Sequence, residues 1–164
     1  MPVITLTSDW QSNDYYLATV KGRLLSAKEN IRIVDLNHSI QAFNSREAAF
    51  VLRNSYHHFP EGSIHLVFVN TQPSDGYPYL AIYAEGHYFI GTGTGIFSHF
   101  LKEDEAEIYV LEALEKDELN SFPGLVSFTE TAIKILSGKK LKDLGKPYPA
   151  YRSGVPIRPT IDDD

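Results

Sequence analysis

Short β-branched and apolar runs, each followed by an amphipathic stretch, set the strongest limit on what this chain can fold into. "PVITLT" (2–7), "IRIVDL" (31–36) and "SIHLVFV" (63–69) are three such runs. Between the first two, Leu17, Val20 and Leu24 recur at i, i+3 and i+7 and predict a helix over 14–27. That makes a βαβ unit. Near-continuous apolar strands need helices on both faces, so the three runs read as central strands of a buried sheet. Asn44 to Glu47 has capping-box spacing and opens a second helix over 45–56, with Ala48, Val51, Leu52 and Tyr56 on its apolar face.

The second half keeps the pattern and adds a hairpin. "YLAIYA" and "HYFIG" flank Glu85-Gly86, a two-residue turn between strand-forming segments. The "GTGTG" run (91–95) leads to a short helix through Ile96, Phe97 and Phe100, and "AEIYVL" (106–111) is another strand. Leu125, Phe128, Ala132, Ile135 and Leu136 predict a last helix over 125–137, closed by Gly138. The fold expected is a three-layer α/β/α domain with a mixed, mostly parallel central sheet. It occupies residues 1–144; 145–164, with four prolines and no periodicity, reads as a linker or extended arm.

Composition narrows the partners. A chain of 164 residues suits one domain, and 43% hydrophobic against 22% charged residues is a globular balance. No apolar run is long enough to span a bilayer, so no membrane partner is expected. A net charge of −6 without a basic block would repel a phosphate backbone, so no nucleic-acid partner is expected either. With no cysteine there are no disulfides, thiolate metal sites or thiol nucleophiles, and the start of the chain reads as a strand rather than a signal peptide. A cytoplasmic protein is expected.

Acids at strand exits carry the functional reading, since ligands of open α/β sheets bind outside the carboxyl ends of the strands. Asp9 directly follows the first strand and Asp14 opens the first helix. One reading has Asp9 accepting hydroxyl protons from a ribose diol and Asp14 pairing with a cationic group. The other makes Asp9 a turn former and Asp14 a favourable acid at a helix N-terminus. Asp35 and His38, after the second strand, either share a proton or a metal, or are a turn aspartate and a surface histidine. His57 and His58 suit a helix C-terminus. The GTGTG run sits where a phosphate-cradling loop would, yet lacks both the G-x-G-x-x-G and the P-loop spacing. It is also what a tight strand-to-helix turn needs.

Taken together, "TSDW…ND" (7–14), "VKGRLLS" (20–26), "IVDLNHSIQAFNSREAAFVLRN" (33–54), "FPEGSIHLVFVN" (59–70) and "YFIGTGTGIFS" (88–98) resemble the S-adenosyl-L-methionine hydroxide adenosyltransferases, relatives of the fluorinase and chlorinase. The resemblance implies a trimer whose chains have an N-terminal α/β domain and a C-terminal β-barrel, with S-adenosylmethionine held where neighbouring chains meet. It implies no further cofactor, S-adenosylmethionine or a nucleoside being the small-molecule partner. It also implies substrate-binding roles for Asp9 (ribose hydroxyls), Asp14 (methionine amino group), Phe43 (against the sugar), Asn70 and Thr94.

The same comparison shows where this sequence departs. The hydrolytic members' Asp-Pro-Gly-Val-Gly, with an Arg a few residues on, is here Asn70-Thr71-Gln72-Pro73 with Tyr77 in the region of the Arg. Their His-Gly-Arg-Asp aligns with Pro123-Gly124-Leu125-Val126, and their Asp-Asn-Gly with Gly93-Thr94-Gly95. No catalytic Asp, Arg or His is therefore intact. The expectation is a domain related to enzymes that split S-adenosylmethionine with water, itself without turnover. The alternatives are a degenerate nucleoside-binding or trimer-assembly module, and a generic nucleotide-binding α/β domain using the GTGTG loop.

Overall fold

The computed structural model describes residues 1–11, 15–72, 74, 76–112, 114, 122, 124–149 and 151. Among them, β1 (Val3–Ser8), α1 (Tyr15–Ala27), β2 (Arg32–Asn37), α2 (Ser45–Ser55) and β3 (Ile64–Phe68) follow one another as the periodicity predicts. Then come β4 (Tyr79–Ala84), β5 (His87–Thr92), β6 (Ala106–Leu111), α3 (Leu125–Leu136) and β7 (Gly145–Pro147). All seven strands join one sheet in the order β2-β1-β3-β5-β4-β6-β7.

The sheet is mixed rather than mostly parallel. Strands β2, β1, β3 and β5 pair in parallel, whereas β4 pairs antiparallel with both β5 and β6, and β6 antiparallel with β7. The cause is the hairpin. Glu85 and Gly86 both have positive φ, 51° and 79°, as the two-residue turn that matches strand twist requires, and so β4 runs back beside β5. The strands that follow inherit that reversal.

A second correction concerns position. The run at 31–36 is not a central strand but the sheet's edge, and β2 is half-exposed, whereas β1 and β3 are buried along their whole length. Arg32, Asp35 and Asn37 account for this, because they put polar groups on both faces of the strand, which an edge tolerates and a central strand does not. Within the stretch read as a linker or extended arm, residues 145–147 form the last edge strand, where Pro147 is tolerated, and Tyr151 is buried with its hydroxyl donating to the Leu101 carbonyl.

Alternation along the strands builds a core on each side of the sheet. Ile4, Leu6, Leu66 and Phe68 face α1 and α3 and meet Val20, Leu24 and Phe128. Val67, Val69, Ile82 and Phe89 face the other way and meet Ala48 and Leu52 of α2. Three layers result. Gly91, on β5, is where the second core closes over the sheet: a Cβ there would stand 2.8 Å from the Phe97 ring. This close approach explains one glycine of the GTGTG run by packing.

Candidate functional site

Strands β1, β3 and β5 end at the same edge of the sheet, and the side chains that the sequence singles out gather around the exit of β1. Asp9 continues the ladder by donating its backbone N–H to the Phe68 carbonyl at 3.2 Å. Behind it Trp10 is buried against Phe68, with ring centroids 4.6 Å apart, and packs edge-on to Phe122. The aromatic plug fixes the loop at the point where it leaves the sheet.

With its backbone held, the Asp9 carboxylate reaches two other loops. Its Oδ2 accepts the Phe43 N–H at 3.1 Å and the Asn70 N–H at 3.2 Å. Both donors lie in the left-handed backbone region, Phe43 at φ 62° and Asn70 at φ 52°, and so does nearby Gln11 at φ 65°, whose N–H donates to the His38 carbonyl. Such backbone costs about 1–3 kcal/mol at a residue with a Cβ, and it collects where function requires it. A hydrogen bond to a charged group contributes about 1.5–3 kcal/mol, so one carboxylate offsets the strain of two residues. Oδ1 makes no bond to the described residues and keeps its acceptor capacity.

Phe43 is 65% exposed, an unusual state for a phenylalanine in strained backbone. Two residues on, Ser45 donates its hydroxyl to Thr94 Oγ1 at 3.1 Å, and its N–H to the Phe43 carbonyl at 3.0 Å. The chain of contacts therefore runs from Asp9 through Phe43 and Ser45 to Thr94. Thr94 borders a cleft of about 270 Å³, together with Tyr77, Ser98, Tyr148 and Tyr151. Of the residues named from sequence, Asp9, Phe43, Asn70 and Thr94 stand in this one connected group. Asp14 lies outside the described residues, as do Pro73, Pro123 and Arg152.

The GTGTG loop is not built to cradle a phosphate. Gly93 N–H already donates to the Pro78 carbonyl at 2.7 Å and Thr94 N–H to the Thr92 carbonyl at 2.8 Å. Only a three-residue 3₁₀ turn, Phe97–His99, follows, in place of the helix expected there. A nucleotide site based on this loop would have neither of these two amides nor a full helix terminus to offer a phosphate.

Sequence reasoning did not foresee how tightly Asp35 and His38 are tied to the site. His38 Nδ1 lies 2.7 Å from the Ser8 hydroxyl and its Nε2 2.9 Å from Asp35 Oδ1, while Lys21 Nζ donates to Asp35 Oδ2 at 2.7 Å. Burial alone would raise the Asp35 carboxyl. Hydrogen bonds and charge from Lys21 and His38 outweigh it and hold the group below its ordinary range. The relay ends on a buried serine beside Asp9 and braces the loop. Its sequence signal was only the spacing of "DLNH". Among the described residues, no three His, Asp or Glu side chains are grouped to hold a metal, and no helix is long and apolar enough to cross a membrane.

The model of the SAM hydroxide adenosyltransferase N-terminal domain matches residues 4–145. The (R)-S-adenosyl-L-methionine hydrolase of Methanocaldococcus jannaschii is 31% identical over 106 residues, 60% of this chain and 39% of that protein. The enzyme of the same name from Thermus thermophilus is 28% identical over 126 residues, 76% of this chain and 49% of that protein. This chain thus spans half the length of these relatives or less. The crystal structure of an uncharacterized conserved protein from Thermotoga maritima shares the fold, with a TM-score of 0.78 at 22% identity over 97% of this chain and 64% of that one. With a family match that runs through both cores and every described residue of the Asp9 group, the chain belongs to the SAM hydroxide adenosyltransferase family, as its N-terminal domain.

Proposed function

We propose that this domain holds the ribose and amino-acid end of S-adenosylmethionine or a related nucleoside, and does so without hydrolysing it. The observation that carries the reading is the convergence of Phe43 and Asn70, both in left-handed backbone, on one Asp9 oxygen, while the other oxygen makes no bond to the described residues and Phe43 stays exposed. A carboxylate oxygen with free lone pairs accepts sugar hydroxyls by charge-assisted bonds, and an exposed ring offers a face to the sugar. Asp14 supplies the partner for the amino group.

Hydrolysis would form a bond from a water oxygen to the ribose 5′ carbon and break the carbon–sulfur bond, with methionine leaving as a neutral thioether and the water's proton going to a base. By the resemblance, Asn70 corresponds to the family's Asp, and an amide hydrogen-bonds a water without taking its proton. Tyr77, in the region of the family's Arg, is half-exposed and carries no fixed positive charge. A positioned base is worth roughly 10² to 10⁴ in rate, so its loss together with the cation removes turnover. The protein acts in the cytoplasm as a homotrimer, a state favoured by the exposed Tyr15, Phe43 and Tyr77 in loops and element starts around this site.

Calorimetric titration of adenosine into wild type and Asp9→Asn tests the grip. Asn keeps an oxygen for the Phe43 and Asn70 N–H groups and replaces the outer acceptor by a donor, so the fold survives. Adenosine affinity should fall about tenfold or more, the worth of one charge-assisted bond. Equal affinities would remove Asp9 from the site. In the same samples, chromatography should find no adenosine formed from S-adenosylmethionine above the spontaneous rate, and sustained production would overturn the reading of Asn70.

A further inference from the structure

A groove of about 540 Å³ opens at the opposite end of the sheet, on the α1 and α3 side, where α3 stops at Leu136. Its floor is aromatic. Tyr83 on β4 and Tyr88 on β5 are directly paired, with ring centroids 4.8 Å apart, and Tyr109 on β6, diagonal to Tyr83, lines the same groove. All three rings are half-buried. Its rim is cationic. Lys139, Lys140 and Lys142 line it and are exposed, and none has a carboxylate at ion-pair distance among the described residues.

Lysines after a helix often serve only its last carbonyls. Here the turn itself does that. Ser137, Gly138 and Lys139 donate their N–H groups to the Ile133, Ile135 and Lys134 carbonyls. Leu141, buried between Lys140 and Lys142, anchors the segment in a 3₁₀ turn, so the ammonium groups are presented from fixed backbone.

We propose that this groove binds a nucleoside di- or triphosphate, its base against the tyrosine row and its phosphates on Lys139, Lys140 and Lys142. The size falls within the range of small-ligand sites. Tyrosine faces stack bases of any identity, and lysines meet phosphates as point charges. The net charge of −6 works against a long phosphate backbone, so a short polyanion is the occupant that fits. Glu107, across from Tyr83 on β6, is the one carboxylate among the described residues lining the groove and opposes such a ligand.

Titration of the chain with ATP, followed by calorimetry and by the tyrosine ring resonances, tests the site. The double variant Lys140→Gln/Lys142→Gln should weaken ATP binding about tenfold or more, and Tyr88→Leu about threefold or more, as lost charge-assisted and stacking contacts imply. Glu107→Gln should tighten it about twofold or more, because a like charge is removed. Repeated in the Asp9→Asn background, where the ribose grip of the other site is lost, the lysine and tyrosine effects on ATP binding should persist, which separates this groove from the adenosine site. No ATP binding at millimolar concentration, or equal affinity in wild type and the lysine variant, would overturn the site. Inorganic tripolyphosphate binding as tightly as ATP would overturn the assignment of the base to the tyrosines.

Discussion

His65 is wholly buried on β3, with Nδ1 2.7 Å from the Thr5 hydroxyl, Nε2 3.2 Å from His87 Nδ1, and its ring stacked on Phe89. Burial, and then the neighbouring His87, push it down to about 3. His87 is also lowered by burial, against the pull of Glu61 and Glu85. The unfolded chain takes up a proton on His65 near pH 6.5, whereas the folded one stays neutral to about 3. The unfolded state thus binds more protons between those values, and stability falls as pH drops through that window, by up to about 1.4 kcal/mol per pH unit. Asp35, with its carboxyl held low, adds stability that is lost only further into acid, as pH falls through the carboxylate range. Urea denaturation from pH 7 to 5 should show wild type losing stability, with a shallower slope in His65→Gln. Matching slopes would exclude His65 as the source.

At the scale of elements, two glycines give opposite forecasts. On β5, a Cβ at Gly91 would meet the Phe97 ring at 2.8 Å and Val67 at 3.3 Å, inside a closed core. Overpacking of that kind costs about 1–3 kcal/mol, so Gly91→Ala should lower Tm by several degrees. On the exposed face of α1, a Cβ at Gly22 meets nothing within 4 Å. Gly22→Ala should stabilise by about 0.4–1 kcal/mol through the unfolded chain's lost freedom and better helix propensity. Calorimetric scans of the pair check both signs. The Asp9 joint likewise belongs to this scale, because it ties the end of β1 to the loops before α2 and after β3.

For the molecule as a whole, the exposed large hydrophobics include Tyr15, Phe43 and Tyr77, and their segments lead into α1, α2 and β4 around the carboxyl edge of the sheet. Aromatic residues in such a setting favour an interface over solvent. Light scattering at about 100 µM should report a mass near three chains, with association weakened by Tyr15→Ser/Tyr77→Ser. A monomer at that concentration would sink the trimer. The edge that holds the Asp9 group and the edge that associates would then coincide, so adenosine affinity should rise with protein concentration.

The sequence alone determined the three long helices and the first six strands, because those depend on neighbours, while the 3₁₀ turn after the GTGTG run and the last edge strand were not legible. The 3.6-residue spacing of Val20 and Leu24, or of Phe128 and Ala132, and the capping contact of Asn44 with the Glu47 N–H are local and legible. So is the Glu85-Gly86 turn, which demands positive φ at both positions. Asp9 and Asn70 could be named as residues at strand exits by the same means. Only the tertiary structure decided that β2 is an edge, that half the pairings are antiparallel, and that one Asp9 oxygen collects N–H groups from 34 and 61 residues away. Nothing near Phe43 in sequence asks for left-handed backbone. That state exists because a distant carboxylate supplies the compensating bond, and such a bond forms only once packing on both faces of the sheet has set every strand in register.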